Sequence, residues 1–267
     1  MSGIIVLSQI KALPGQREGG RLPGIRTLNI AHRGASSLAP ENTIPAFDKA
    51  LEIGVDGLEF DVQLSKDNIP VIIHDESLDR TTTGQGPVKD HALAELKKFD
   101  AGAFFAPRFS GAAIPALDEV LSRYRNENLL FNIELKNAVV SYPGIEEAVL
   151  ECIGRHNLEE KTLISSFNYD SLVTCRRINP TVRTGLLYIE DIREPWHYVR
   201  SLGCYSAHPL FFYLQDPAIL AGFKEHGIPL YPWTVNDPSQ MEIFAAQGIE
   251  AIITDYPREL KKILGRL

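Results

Sequence analysis

Short apolar runs alternate with amphipathic segments from Leu28 to the end of the chain. Several of these runs are almost entirely apolar and rich in Ile, Leu and Val, which is typical of parallel strands covered on both faces. Eight runs have this character: 28–31, 57–62, 129–135, 162–167, 183–188, 204–208, 228–235 and 250–255. Eight strands with helices between them predict an α/β fold of the TIM (β/α)8 barrel type, and an open doubly wound sheet is the alternative.

The segments between the runs predict helices, because their apolar residues recur with a helical period. The clearest helical patterns cover residues 43–53, 145–156, 169–178, 217–226 and 239–247. The connection after the second run is much longer: it makes a short apolar return at 70–74 and resumes the rhythm with a helix at 116–124. Because connections of this length are typical of functional segments, we expect about residues 75–115 to form a small insertion over the barrel mouth.

The start of the chain differs from the rest. Residues 11–26 are rich in Gly, Pro and Arg and show no hydrophobic period. The apolar stretch at 3–7 is too short for the core of a signal peptide, and no basic residue precedes it. We therefore predict a flexible N-terminal arm over residues 1–27 and a single barrel domain over residues 28–267.

Composition narrows the class of protein. The 267 residues are 44% hydrophobic and 23% charged, as in many soluble enzymes. Their 27 basic and 34 acidic side chains give a net charge of −7, which argues against a nucleic-acid partner. No apolar run approaches the roughly 18 residues of a membrane span. Three widely spaced cysteines, Cys152, Cys175 and Cys204, suit neither a disulfide framework nor a zinc site, so we expect free thiols in a cytoplasmic protein.

Polar side chains gather at the ends of the predicted strands, where a barrel of this type carries its active site. Glu59 and Asp61 are two positions apart, as are Glu134 and Lys136, so each pair points to one side of its strand. Three converging carboxylates would repel one another unless a cation lay between them. Such oxygen ligands suit Mg²⁺, Ca²⁺ or Mn²⁺, and the alternative is a buried ion network with Arg33 and Lys136.

Two histidines are predicted at the same mouth. His32 ends the first strand and His74 ends the return run, and imidazoles can supply one general acid and one general base. Arg33 and Gly34 follow His32: an arginine fork recognises phosphate oxygens, and we expect the glycine to let the backbone pass close to a ligand. Arg33, Lys136 and a metal converging on one point predict chemistry on a phosphoryl group.

The motifs that carry these residues resemble the signature of the glycerophosphodiester phosphodiesterase family, in the expected order from Leu28 to the C-terminus. They are HRG (32–34), PENT (40–43), EFDV (59–62), HD (74–75), RTT (80–82), IPAL (114–117), NIELK (132–136), SSF (165–167), WTVN (233–236) and IITDYP (252–257). A Lys-Asp-Gly turn that is usual in the family is Lys66-Asp67-Asn68 here, and Asn also tolerates a positive φ.

The resemblance implies a barrel with an insertion after the second strand and the cleavage of glycerophosphodiesters to sn-glycerol 3-phosphate and an alcohol. It also implies roles for nine residues. Glu59, Asp61 and Glu134 would hold one divalent metal ion. His32 and His74 would be the acid–base pair, Arg33 and Lys136 would hold the phosphate, and Phe167 and Trp233 would wall the pocket.

Three other functions remain open at this point. The first is a lysophospholipase D-type enzyme acting on acylated substrates, which a broad apolar mouth would favour. The second is another metal-dependent barrel chemistry such as sugar isomerisation, which leaves Arg33 and Lys136 without a phosphate unless the sugar is phosphorylated. The third is a binding protein without turnover, which usually lacks catalytic residues. The head group, the choice of metal, the nucleophile (water or a substrate hydroxyl) and the oligomeric state are not determined by the sequence.

Overall fold

The computed structural model describes residues 27–266. The predicted N-terminal arm lies outside these residues, apart from Thr27. The eight strands in this part of the chain are β1 (Leu28–His32), β2 (Gly57–Leu64), β3 (Pro70–Ile72), β4 (Leu130–Leu135), β5 (Thr162–Ser166), β6 (Arg183–Tyr188), β7 (Ser206–Pro209) and β8 (Ala251–Thr254). The helices are α1 (Ile44–Ile53), α2 (Leu93–Leu96), α3 (Leu117–Tyr124), α4 (Ile145–Arg155), α5 (Tyr169–Ile178), α6 (Pro195–Ser201), α7 (Pro217–Glu225), α8 (Pro238–Gln247) and α9 (Pro257–Ile263).

Seven strands pair in parallel in the order β7–β6–β5–β4–β2–β1–β8, and β3 adds to β2 in antiparallel fashion. The segment 229–235 closes the gap between β7 and β8. Tyr231 N–H donates to the Ala207 carbonyl at 2.9 Å, and Ala251 N–H donates to the Leu230 carbonyl at 3.1 Å. The strands therefore form a (β/α)8 barrel with an insertion after the second strand, and the closed-barrel prediction is confirmed.

One predicted strand was wrong in detail. The run 228–235 is not a regular strand, and it forms two isolated bridges, from Leu230 to Ala207 in β7 and from Trp233 to Leu210 just after β7. Pro229 and Pro232 lack the N–H groups that a continuous ladder requires. The segment still occupies the place of a strand in the barrel wall.

Register decides which side chains point into the barrel. In the pairing of β2 with β4, Asp61 lies opposite Glu134 and Glu59 lies opposite Asn132. Because side chains alternate along a strand, these residues face the interior while Leu58, Phe60 and Val62 face the helices. Both sets are buried. The outward-facing residues of β2 are apolar, and the acidic residues are those that face the interior of the barrel. Deeper in the interior lies a small apolar layer that includes Ile30, Leu130, Leu163, Tyr231 and Ile253.

Helix α1 positions the loop that carries the HRG motif. It buries Ala46, Phe47, Ala50 and Ile53 and ends at Gly54 with a φ of 76°. A Cβ added to Gly34 would lie 2.8 Å from the Cβ of Ala46. The absence of a side chain at Gly34 therefore makes room for helix α1, and the expected close approach to a ligand stays a prediction.

The chain between β3 and α3 forms the expected additional layer, with α2 and short 3₁₀ turns. Its buried residues, which include Leu78, Leu96 and Ile114, form a small core together with Val71 of β3. The turn before β3 is intact, since Asn68 adopts a φ of 60°. Within residues 27–266, no helix is both long enough and apolar enough to cross a membrane.

Candidate active site

Three buried carboxylates meet where β2 and β4 reach the mouth of the barrel. Glu59, Asp61 and Glu134 each offer an oxygen within 4.8 Å of the others, and they are 3%, 1% and 9% exposed. Among the described residues, Asp61 Oδ1 has no hydrogen-bond partner. A buried carboxylate oxygen without a partner is costly, so this atom is one that a cation would satisfy.

The electrostatics of the cluster favour a positive ion. Burial, followed by the charge of Asp61, raises the pKa of Glu134 to about 7. The same two causes raise the pKa of Glu59 well above its usual value. Burial also opposes the charge of Asp61, but Arg33, His74 and Lys136 outweigh it and lower the pKa of that carboxyl. Three oxygen donors of this kind fit a hard divalent cation.

Each of the two predicted histidines is held by an acidic residue through Nδ1. His32 Nδ1 lies 2.7 Å from Asp255 Oδ1, and His74 Nδ1 lies 2.7 Å from Asp75 Oδ1. When the Nδ1–H of a neutral imidazole donates to a carboxylate, the lone pair of that ring lies on Nε2. His32 Nε2 lies 3.9 Å from Glu59 Oε2, so the free nitrogen is directed to the carboxylate cluster.

His74 also contacts Lys136, which is predicted to bind the phosphate. Lys136 Nζ lies 3.2 Å from His74 Nε2 and donates to Glu134 Oε1 at 2.9 Å. Burial, with the charges of Arg33 and Lys136, lowers the pKa of His74, although Asp61 opposes this. The lowered pKa favours the neutral form of His74 near pH 7, which is the form that can accept a proton.

Arg33 lies at the turn between β1 and α1 in an unusual backbone conformation. Its φ is 55°, in the left-handed region that residues other than glycine seldom adopt. Its backbone N–H donates to Glu59 Oε2 at 3.0 Å, and its Nε lies 3.4 Å from Asp61 Oδ2. The guanidinium is thus placed beside the carboxylate cluster, and left-handed residues held in this way are frequent at functional sites.

Phe167 and Trp233 lie together, as expected of pocket walls. Their ring centroids are 5.6 Å apart and the rings meet edge to face at 84°. Trp233 Nε1 donates to the His208 carbonyl at 2.8 Å, which fixes the indole. A cavity of about 10 Å³ has Trp233, His32, Glu59 and Glu134 in its lining, so the indole borders the same space as the charged groups. All nine predicted site residues therefore lie at the mouth of the barrel.

Four further residues, which were assigned no role from the sequence, make hydrogen bonds to the predicted site residues. Asp255 and Asp75 orient the histidines, and Asn42 Nδ2 donates to Asp61 Oδ2 at 2.8 Å. Glu41 accepts a hydrogen bond from Arg33 NH1 at 2.9 Å. A signal was present for Asp75, which directly follows His74, and for Asp255, which ends the last strand. Glu41 and Asn42 gave none beyond their place in the PENT motif.

A second cluster could by distance alone accept a metal. Asp118, Cys152 and His156 offer ligand atoms within 4.8 Å of one another on the outer surface of α3 and α4. Here Arg155 NH2 donates to Asp118 Oδ1 at 3.2 Å, and His156 Nε2 lies 2.9 Å from the same oxygen. A cation of the protein already neutralises this carboxylate, so the cluster has less need of an ion than the one in the barrel.

Comparison with known proteins decides the family. Residues 32–259 match the Glycerophosphoryl diester phosphodiesterase family. The chain belongs to this family. A glycerophosphodiester phosphodiesterase from Caldanaerobacter subterraneus subsp. tengcongensis is 47% identical over 236 residues, which are 88% of this chain and 97% of that protein. The glycerophosphodiester phosphodiesterase of Bacillus subtilis is 33% identical, over 92% of this chain and 89% of its own.

Solved structures of the family agree with the fold. An Oleispira antarctica phosphodiesterase in complex with the product sn-glycerol-3-phosphate has a TM-score of 0.81 at 33% identity, covering 90% of this chain and 97% of its own. A Silicibacter pomeroyi member has a TM-score of 0.82 at 28% identity, covering 91% and 94%. The protein is therefore an enzyme, a phosphodiesterase of the glycerophosphodiester phosphodiesterase family, with a TIM-barrel fold.

Proposed function

We propose that this family member hydrolyses glycerophosphodiesters to sn-glycerol 3-phosphate and an alcohol, using one divalent metal ion and two histidines. The observation that supports the proposal best is the grouping of two Asp-held histidines around one buried carboxylate cluster, with Arg33 and Lys136 beside it. Acid, base, phosphate-binding cations and a metal site are the groups that cleavage of a phosphodiester requires.

Glu59, Asp61 and Glu134 would hold the metal, which is Mg²⁺ or Ca²⁺, with Mn²⁺ as a further choice. When bound, such an ion polarises the phosphate and neutralises charge that grows in the transition state. Arg33 and Lys136 bind the non-bridging oxygens and orient the phosphate. Phe167 and Trp233 wall the pocket and restrict the entry of water.

One histidine removes the proton from the nucleophile through its free Nε2, and the other protonates the leaving alkoxide. The nucleophile is water or a hydroxyl of the substrate glycerol. Asp255 and Asp75 accept from the Nδ1–H groups and so place the lone pair of each neutral ring on Nε2. We further propose that residues 28–267 act as one domain and that the enzyme works in the cytoplasm on a small-molecule substrate.

The test is release of glycerol 3-phosphate from glycerophosphocholine by purified protein. The protein is assayed with EDTA and then with Mg²⁺, Mn²⁺ or Ca²⁺ restored. We expect release only after metal is restored. A folded preparation that releases no glycerol 3-phosphate from any glycerophosphodiester, with any of these metals, would contradict the proposal.

A specific observation supports acylated substrates as a second candidate. Exposed apolar side chains follow the ends of four strands, at Val139, Ile189, Phe212 and Tyr256, in the loops on the side of the mouth. Phe212 is 64% exposed. Exposed apolar side chains in these loops suit contact with an acyl chain. Faster release of choline from lysophosphatidylcholine than from glycerophosphocholine would favour this lysophospholipase D-type activity, and the reverse order would exclude it as the main one.

A further inference from the structure

Arg80, a side chain of the insertion, binds the carboxylates that support the proposed catalytic groups. Arg80 donates to both oxygens of Glu41, from NH1 and NH2 at 2.8 Å. It also donates to both oxygens of Asp75, from Nε at 2.6 Å and from NH2 at 2.9 Å. One guanidinium thus binds two carboxylates, each of them through two oxygens.

These two carboxylates are the ones that hold His74 and Arg33. Asp75 Oδ1 accepts from His74 Nδ1 at 2.7 Å, and Glu41 Oε1 accepts from Arg33 NH1 at 2.9 Å. A continuous chain of charged hydrogen bonds therefore runs from His74 through Arg80 to Arg33. Charge-assisted and two-point hydrogen bonds of this kind are the stronger and more directional ones.

The Arg80 guanidinium also neutralises the two neighbouring carboxylates, Glu41 and Asp75. Glu41 and Asp75 would face each other as two carboxylates if the guanidinium between them were lost. Asp75 would then be free to turn from His74, and Glu41 would be free to draw Arg33 toward itself and away from the phosphate position. A lysine could not replace Arg80 fully, because a single ammonium lacks the planar fork that spans both partners.

We propose that Arg80 is a positioning residue that holds His74 and Arg33 in place at the same time, so that the insertion completes the active site. The inference rests on the proposed function, since it takes the roles of His74 and Arg33 from there. Arg80 itself touches neither the carboxylate cluster nor, on this account, the substrate.

A surface salt bridge with only a structural role would behave differently, and the chain offers a matched control. Arg123 binds both oxygens of Asp48, from Nε at 3.1 Å and NH2 at 2.8 Å, and joins α3 to α1 away from the mouth. The exposed fractions of the two arginine side chains are similar, 47% for Arg80 and 52% for Arg123. Loss of Arg123 removes one two-point ion pair and loss of Arg80 removes two, and only Arg80 is linked to the proposed catalytic groups.

The experiment compares Arg80→Ala, Arg80→Lys and Arg123→Ala with the wild-type enzyme at saturating metal. We expect Arg80→Ala to lower kcat about 10- to 100-fold, the usual cost of losing a group that orients a catalytic residue. Arg80→Lys should restore only part of the loss, and millimolar guanidinium should rescue Arg80→Ala in part, because the position is half exposed. Arg123→Ala should keep the wild-type kcat. A double variant, Arg80→Ala with Asp75→Asn, should lose less than the product of the two single losses, because the two residues share the branch that holds His74.

The proposal is overturned if Arg80→Ala keeps the wild-type kcat, or if its loss only follows a loss of folded protein measured by circular dichroism. An NMR measurement separates this failure from a failure of the proposed reaction. The ¹⁵N shifts of the His74 imidazole should move in Arg80→Ala and stay unchanged in Arg123→Ala, whatever the substrate is. Unchanged His74 shifts in Arg80→Ala would also overturn the proposal.

Discussion

The interior of the barrel has a charged side and a neutral side. On the charged side, β2 and β4 direct Glu59, Asp61 and Glu134 inward, and Arg33 and Lys136 lie within ion-pair distance of this cluster. On the neutral side, β6 and β7 pair Gly185 with Ser206 and Leu187 with His208, and the His208 ring packs on Tyr231. Both sides are buried to a similar degree.

Among residues 27–266, no charged partner faces His208, the histidine of the neutral side. His208 stacks on Tyr231 with ring centroids 4.8 Å apart, and its Nε2 lies 2.9 Å from Ser206 Oγ. Burial alone lowers its pKa to about 3, so the ring is neutral near pH 7. Asp61 is buried as deeply, yet its cationic neighbours keep it charged. The comparison teaches that a buried ionisable group keeps its charge, and so its use in catalysis, only where the fold supplies partners of opposite sign.

The largest expected effect falls on the charged side. His74→Ala and His32→Ala should each lower kcat about 100- to 10,000-fold, because each removes a proposed proton-transfer group. Steady-state release of glycerol 3-phosphate at saturating metal measures this. His91→Ala, in the insertion, is the control and should keep full activity. Near-wild-type rates for both active-site variants would show that neither histidine transfers a proton.

The next effect concerns the fork of Arg33. Arg33→Lys keeps the charge but loses the two-point contact with phosphate oxygens, so kcat/KM should fall roughly 10- to 100-fold. The same assay over a range of substrate concentrations measures it, with the exposed Arg125→Lys as control. An unchanged kcat/KM would mean that the guanidinium shape is not used and that a positive charge alone is sufficient.

On the neutral side we expect an effect on stability. A Cβ at Gly185 would lie 2.2 Å from His208 Nε2, so Gly185→Ala must displace a buried ring. Such overpacking should lower the free energy of unfolding by about 1–3 kcal/mol, measured by urea denaturation. Gly154→Ala on the surface of α4 is the matched control, since its Cβ would have only Glu159 Oε1 at 3.6 Å, and it should be neutral or stabilising. If both variants were equally stable, the tight contact in the barrel would be absent.

The smallest effect is the pH dependence due to His208. Its folded pKa of about 3 lies below the ordinary value of 6.5, so the unfolded chain binds a proton that the folded chain refuses. Stability should therefore fall as the pH is lowered below about 6.5, by about 1 kcal/mol at about pH 5.5. Urea unfolding curves recorded at about pH 6.5 and about pH 5.5 measure this decline in stability, and His208→Gln should lack the part due to His208. A decline of the same size in His208→Gln would place its origin in other groups.

The sequence predicted the charged side well because that side depends on local spacing. Glu59 and Asp61 are two positions apart on one strand, and His32 ends a run that could be recognised by its apolar residues. Contacts that depend on barrel closure were not predictable in this way. Asp255 meets His32 across 223 positions because β8 lies beside β1, and Arg80 meets Glu41 across 39 positions through the insertion. The irregular backbone of the segment 229–235 was not predicted either. Its apolar pattern is that of a strand, although its prolines prevent a regular ladder.

The proposed function requires that the charged side of the interior binds a divalent cation. Mn²⁺ binding, followed by electron paramagnetic resonance, tests it directly in the wild type, in Asp61→Asn and in Cys152→Ser. We predict one site in the wild type, an affinity reduced by more than about 100-fold in Asp61→Asn, and no change in Cys152→Ser, which alters only the outer cluster. Equal affinity of Asp61→Asn and the wild type, or loss of binding in Cys152→Ser, would contradict the account.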